Sequence, residues 1–499
     1  MFINPLDAGF LFGYDIGVIS GCLIMPDFIR RFGELDDQGK FFLSSSRQSI
    51  ITSLLSAGGA LAQAFTSDRN GRRGSILIWS AVFTIGVAIQ TGTTFSIVQL
   101  TIGRFIAGLG VGALSVYTTD VKADQAISLY NSETAPKALR GAMLVLYQLQ
   151  IIIGIFLSYI LDLATHSISN SASWRIPVGL QLLLGLILLS GIFFLPESPR
   201  HLLGTGRHKE ARGVIAALNG VPEDDELVDE LVAELDYAIR QENDGGKATW
   251  AECFSARNNL WKRTGNGMML QFIQQLNGQN FYYYYGDTFF QSAGTQLNPF
   301  VIQVILGGVS VIGTIPALRL IETWGRRRSL LTGALLEAAC ALIAGLVGHF
   351  TLAPPGTPQD QLTTRNRRGG DTLIAFAVLH LFSFSIFWGP TPPKSIALGS
   401  ATNWLWNFLL SFFSPRISAR IGPLILLIFF GMLLFGYVYV YLFVPETKGL
   451  TLEEVDEMYR SGVKPWNSPS WQPSLSREAH EKALKELHHE KRESPELAA

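Results

Sequence analysis

SDRNGRR at residues 67–73 and ETWGRR at residues 322–327 are two copies of one signal, each following an apolar run and leading into another. Asp68, Gly71 and Arg72 match Glu322, Gly325 and Arg326 at one constant offset, about half the chain. An acid, a glycine and two arginines between buried segments make a short charged hairpin. Its recurrence marks an internally duplicated membrane protein.

Composition points the same way. Of 499 residues 48% are hydrophobic and only 16% charged, with 32 phenylalanines, and the mean hydropathy is +0.26. This excludes an ordinary soluble domain of that length. A formal net charge of -1, with basic residues in short clusters, makes no case for nucleic acid. Cys22, Cys253 and Cys340 lie far apart and read as packing residues rather than a disulfide or metal framework. No nucleophile-and-base arrangement or metal spacing stands out, so the chain reads as neither an enzyme nor the holder of a cofactor.

A helix needs about 20 apolar residues to cross about 30 Å of hydrocarbon. Six such runs come first: Leu6 to Met25, Ser49 to Phe65, Ser75 to Thr91, Ile97 to Tyr117, Gly141 to Leu161 and Ile176 to Leu195. Six follow a polar interval: Gly265 to Ser292, Phe300 to Ile321, Leu330 to Phe350, Thr372 to Trp388, Ser395 to Phe413 and Pro423 to Val444. The fold class is therefore an all-α membrane protein of twelve transmembrane helices in two pseudo-symmetric six-helix bundles. The expected divisions are an N-terminal bundle (1–195), a cytoplasmic linker with short helices (196–263), a C-terminal bundle (264–447) and a cytoplasmic tail (448–499).

Arg69, Arg72, Arg73, Lys137, Arg140 and Arg326 to Arg328 favour cytoplasmic hinges, whereas Arg30, Arg31, Lys40, Arg47, Arg365, Arg367 and Arg368 load the opposite loops. The linker and the Glu/Lys-rich tail, whose first helix has a capping box in Thr451 and Glu454, place both termini inside. Met1 leads almost directly into the first span, with no cleavable signal peptide in view.

Two constellations carry chemistry. Span seven contains Gln271, Gln274, Gln275 and Asn280, and an unpaired amide in hydrocarbon costs roughly 2 to 7 kcal/mol. Amides both donate and accept hydrogen bonds without carrying charge, so buried ones invite a polar, uncharged partner. Residues 271, 274, 275 and 278 fall on one helical face, with Gly278 leaving room for a ligand or a neighbour. The second constellation is Asp15 in span one and Arg104 in span four, two charges at similar depth, each offering the other a counter-charge. By contrast His380 reads as packing, Glu337 as facing an inner funnel, and His480, His488 and His489 as a solvated tail.

The chain resembles the sugar porter family of the major facilitator superfamily, most closely fungal hexose transporters. The resemblance runs from Phe10 to about Trp466 through GFLFGYDIGVISG (9–21), SDRNGRR, GRFIAGLGVG (103–112), LYNSETAPKALRGA (129–142), LPESPR (195–200), QFIQQLNGQNFYYYYG (271–286), ETWGRR, TNWLWNF (402–408) and VPETKG (444–449). It implies transport of glucose-like monosaccharides across the plasma membrane by alternating access, as uniport or proton symport, with a small-molecule sugar and at most a proton as partners beside the lipid bilayer. It implies a sugar site of Gln148, Gln271, Gln274, Gln275, Asn280, Asn403 and Asn407, gated from outside by Tyr284 and Tyr285. Asp15 with Arg104 would be the proton-coupling pair, or a structural ion pair. Asp68, Arg72, Glu133, Arg140, Glu197, Arg200, Glu322, Arg326 and Glu446 would form a cytoplasmic salt-bridge network holding the bundles together.

The chain also departs from that pattern. SAGGALAQ (56–63) is about three residues short, and Ala64 replaces a glycine. YTTDVKADQAI (117–127) is inserted, and Ser310 replaces an asparagine. WGPTPPKSIALG (388–399) passes from a proline kink straight into the next span, without the inner half of span ten or its acidic loop. Such abrupt changes suit a misassigned gene model or a decaying copy. They keep two alternatives open, a non-transporting sugar sensor and an inactive remnant.

Overall fold

The computed structural model describes residues 3–65, 71–115, 140–244, 260–293, 295, 297–353, 361–389, 397–448, 450 and 452–472. Among the described residues the elements are helices apart from one two-stranded ribbon. The first half runs α1 (Ile3–Cys22), α2 (Pro26–Phe32), β1 (Glu34–Leu35), β2 (Phe41–Phe42), α3 (Ser45–Phe65), α4 (Gly71–Thr91), α5 (Ile97–Ser115), α6 (Arg140–Thr165) and α7 (Ala172–Ile192). Three amphipathic helices follow, α8 (Pro199–Gly204), α9 (His208–Asn219) and α10 (Glu226–Asp244). The second half runs α11 (Leu260–Gln275), α12 (Gln279–Ser292), α13 (Pro299–Trp324), α14 (Arg326–Thr351), α15 (Thr364–Phe387), α16 (Ala397–Ile421), α17 (Ile425–Phe443) and α18 (Leu452–Arg460).

Among the described residues every expected span overlaps helix. Among the described residues eight helical stretches are long and apolar enough to cross a bilayer, and nine if α1 and α2, bent by 84°, count as one. One of the eight, Gly399–Phe443, holds both α16 and α17. The expected spans that fall below this measure are α3 and the pair α11–α12. Both carry polar side chains that face the interior.

Packing repeats between the halves. In the first, α1 packs on α6 and α7, α3 on α5, α4 on α5 and α7, and α6 on α7. The second repeats each contact: α11 packs on α16 and α17, α13 on α15, α14 on α15 and α17, and α16 on α17. The halves meet through α3 against α16 and its counterpart, α6 against α13, with α1 also touching α12. Small residues let these helices approach closely. A Cβ at Gly108 of α5 would lie 2.1 Å from the Leu55 carbonyl oxygen of α3, and one at Gly154 of α6 would lie 2.1 Å from that of Phe10 in α1.

Span seven differs from its expectation. It is not one helix from Gly265 to Ser292 but two, and Gly278 lies at the break rather than on a helical face. Gly278 has φ 104°, a left-handed conformation that a side chain disfavours, and the Asn277 carboxamide accepts the Gln279 N–H at 3.0 Å. A turn of helix is thereby exchanged for a cap. Residues 117–127 and 390–396 and Thr451 lie outside the described residues, so the insertion, most of the proline-rich junction and the Thr451 capping box do as well.

Candidate functional site

The α11–α12 break turns the amides of span seven inward. Gln271 accepts a hydrogen bond from Asn403 of α16 at 2.6 Å, and Gln274 donates to the Trp388 carbonyl at 3.3 Å. Gln275 Oε1 accepts from Asn407 Nδ2 at 3.1 Å and also from Asn280 Nδ2. Asn280 Oδ1 in turn accepts from Gln279 Nε2 at 3.2 Å. Asn407 Oδ1 receives the Tyr284 hydroxyl at 3.1 Å and the Ser56 hydroxyl at 2.6 Å. Gln275, Asn280 and Asn407 are each only 5% exposed. Their partners are what makes that burial tolerable.

Ser56 is the one member of this chain from the first half, so a single hydroxyl joins α3 to the amides of α12 and α16. Tyr285, next to Tyr284, donates to the Ser411 carbonyl at 2.5 Å. Gln148 is half-buried on α6 and is not part of the chain. Ser310, where an asparagine was expected, shares a 3.3 Å hydrogen bond with the Tyr283 hydroxyl. Aromatic surfaces flank the amides: Trp404 packs on Phe12 of α1 at 5.3 Å between ring centres, and Trp406 on Phe272 at 4.4 Å. Such a lining can hold a polar ring with a weakly apolar face.

Asp15 and Arg104 are fully buried and paired, with Nη1 to Oδ1 at 3.4 Å. The pair is sparse, because Asp15 Oδ2 and Arg104 Nε and Nη2 find no hydrogen-bond partner.

At the hinges the two halves use one device. Glu197 accepts the backbone N–H groups of Arg72 at 2.9 Å and Arg73 at 3.1 Å, while the Arg73 guanidinium donates to the Phe193 carbonyl at 2.7 Å. Glu446 accepts those of Arg326 at 2.9 Å and Arg327 at 3.1 Å, while the Arg327 guanidinium donates to Val444 and Tyr441 carbonyls at 3.1 and 2.9 Å. Each glutamate thus caps the start of one helix, and each second arginine caps the end of the helix packed beside it. Gly71 and Gly325, with φ of 73° and 90°, leave room for this: a Cβ would lie 2.5 Å from Glu197 Oε2 and 2.4 Å from Glu446 Oε2. Arg200 sits in the first turn of α8. Asp68 and Glu133 lie outside the described residues, as do the side chains of Arg140 and Glu322.

A family model described as "Sugar (and other) transporter" matches residues 5–459. The chain belongs to the sugar transporter family. This is a family of multi-pass membrane transporters, not of enzymes. The sugar transporter described here is 38% identical over 488 residues to the Low-affinity glucose transporter of Kluyveromyces lactis, covering 95% of this chain and 84% of that one. It is 38% identical over 500 residues to the High-affinity hexose transporter HXT6 of Saccharomyces cerevisiae, covering 97% and 85%. Among solved structures it is similar in fold to the proton:xylose symporter XylE, bound to 6-bromo-6-deoxy-D-glucose, with a TM-score of 0.71 at 23% identity over 92% of this chain and 98% of that one. The fold is that of the major facilitator superfamily.

Ser56 and Gln279 of the transporter's amide chain, and Asn277 at the break in span seven, escaped the sequence reading. Asn277 was signalled, since Asn-Gly is a turn dipeptide that interrupts a helix. Ser56 was not, because one serine in an apolar run reveals nothing of which helix it will meet.

Proposed function

We propose that the protein carries glucose-like hexoses across the plasma membrane by alternating access, with both termini cytoplasmic and the chain divided as 1–195, 196–263, 264–447 and 448–499. The observation that carries this is the chain from Ser56 through Asn407 to Gln275. A ring of uncharged donors and acceptors, drawn from both halves, suits a ligand of many hydroxyls. Sugar binding would draw α12 and α16 toward α3, and the symmetric seams of α3 with α16 and α6 with α13 are surfaces on which one half rocks against the other. The names of the yeast relatives favour glucose and hexoses over other sugars.

Expression in cells lacking sugar uptake tests the proposal. Labelled glucose should enter saturably, and Gln275→Ala should weaken uptake at least tenfold. Glucose binding without entry would assign the chain to a sensor.

A further inference from the structure

The break in span seven is held by an acid that is not part of the amide chain. Asn277 lies between α11 and α12 and is fully buried. Its carboxamide works in two directions. Oδ1 accepts the Gln279 N–H at 3.0 Å, and Nδ2 donates to Glu337 Oε2 of α14 at 3.2 Å. Glu337 does not face an inner funnel, as its place in an apolar helix suggested: it is 0% exposed, and its second oxygen, Oε1, has no hydrogen-bond partner. The backbone carbonyl of the same residue meets His380 Nδ1 of α15 at 3.3 Å, and the His380 ring packs 5.7 Å from that of Tyr282 in α12. From α17 the Phe429 ring fills the space that a Cβ on Gly278 would need.

An ionisable group inside a span is costly and is a functional suspect for that reason. Packing does not demand one here. At the offset that carries Asp68 to Glu322, the counterpart of Glu337 is Phe83 of α4, which is equally buried and wholly apolar. The first half fills the place with a ring, so what Glu337 adds in the second half is an acceptor.

That acceptor bears on the sugar site through the geometry of the break. Gln275 is the last residue of α11 and Asn280 lies in the first turn of α12. They meet across the break, where Asn280 Nδ2 donates to the Gln275 Oε1 that also holds Asn407. Where α12 starts, and how it is turned against α11, decides whether these amides meet, and the Asn277 cap sets that start. The cap works in one orientation of the carboxamide. Flipping it would set its NH2 against the Gln279 N–H, donor against donor, and its oxygen against the Glu337 carboxyl. The bond from Asn277 to Glu337 excludes the flip.

We infer that Glu337 is a positioning residue for sugar recognition: by fixing Asn277 it holds Gln275 and Asn280 in register across the break, and so sets the affinity for a hexose and the preference among its epimers. Glu337 acts through Asn277 and does not itself touch the sugar. This rests on the transport reading above and adds to it a residue outside the amide chain.

Uptake of labelled glucose and of labelled galactose, its C4 epimer, measured per transporter at the cell surface, provides the test. Glu337→Leu removes the acceptor and should raise the half-saturating glucose concentration about tenfold. It should also narrow the glucose-to-galactose ratio, with little change in maximal rate per transporter. Glu337→Gln keeps an oxygen for Asn277 and should recover most of the loss. A variant that merely folds poorly lowers the amount of transporter and leaves half-saturation and the ratio unchanged; that result overturns the proposal. Asn277→Asp sets two carboxyls face to face and should lose as much affinity as Glu337→Leu. Asn277→Asp/Glu337→Gln reverses donor and acceptor, leaves an oxygen for the Gln279 N–H, and should regain most of it. No recovery in the reversed pair overturns action through Asn277. If the wild-type protein admits no glucose, the transport reading fails, and melting temperatures of the purified full-length variants decide the tie. The reversed pair should then melt above Asn277→Asp alone, and additive losses overturn the tie.

Discussion

Glu197 accepts the backbone N–H of Arg72 at 2.9 Å, across 125 positions of sequence, and so closes the start of α4 from the end of α7. The bond is charge-assisted and borrows the positive end of a helix. Glu197→Ala strips the acceptor from two amides and should cost about 1–3 kcal/mol, read as a lower melting temperature of the detergent-solubilised protein. Glu446→Ala should do the same for α14, and Glu197→Gln, which keeps one acceptor oxygen, should lose less. Equal loss in the alanine and glutamine variants would count against capping.

Gln275→Ala deletes the acceptor shared by Asn280 and Asn407. The Nδ2 donors of two buried amides then lose their acceptor, at about 1–3 kcal/mol, which corresponds to roughly tenfold to a hundredfold in apparent sugar affinity. Tyr284→Phe removes only one donor to Asn407 and should cost about tenfold or less. Concentration dependence of labelled glucose uptake measures both.

Gly278→Ala meets two obstacles, a φ of 104° and the Phe429 ring at 2.9 Å from the new Cβ. The conformation alone should cost about 1–2 kcal/mol. Adding Phe429→Ala relieves the crowding and leaves the backbone penalty, so the double variant should recover part of the lost uptake. Full recovery would show that space, and not the left-handed turn, is what the glycine provides.

Removing one partner of the buried Asp15–Arg104 pair strands a charge. Arg104→Leu should therefore destabilise by about 3–5 kcal/mol, and adding Asp15→Leu should restore most of it. Melting temperatures of the single and paired variants check this, and additive losses would mean that the two residues act independently.

The hydropathy of the chain revealed where the spans lie, because twenty apolar residues have few other uses, and the repeated hinge revealed the duplication. The break in span seven was less visible. Hydropathy is indifferent to Gly278, and only the Asn277–Gly278 dipeptide hinted that the helix stops. Glu197 and Glu446 were legible as partners of the hinges, but the backbone amides that they cap, made available by the turns at Gly71 and Gly325, were not.

The amide chain has a consequence for discrimination. Gln275 already holds two donors and Asn407 already receives two hydroxyls, so a sugar entering the proposed site would gain only the difference between its own hydrogen bonds and those it displaces. Binding of this kind is an exchange in which nearly every position must be replaced in kind. At the proposed sugar site an epimer with one hydroxyl turned away would leave a buried amide unanswered, and the protein would tell sugars apart by what a wrong one fails to restore.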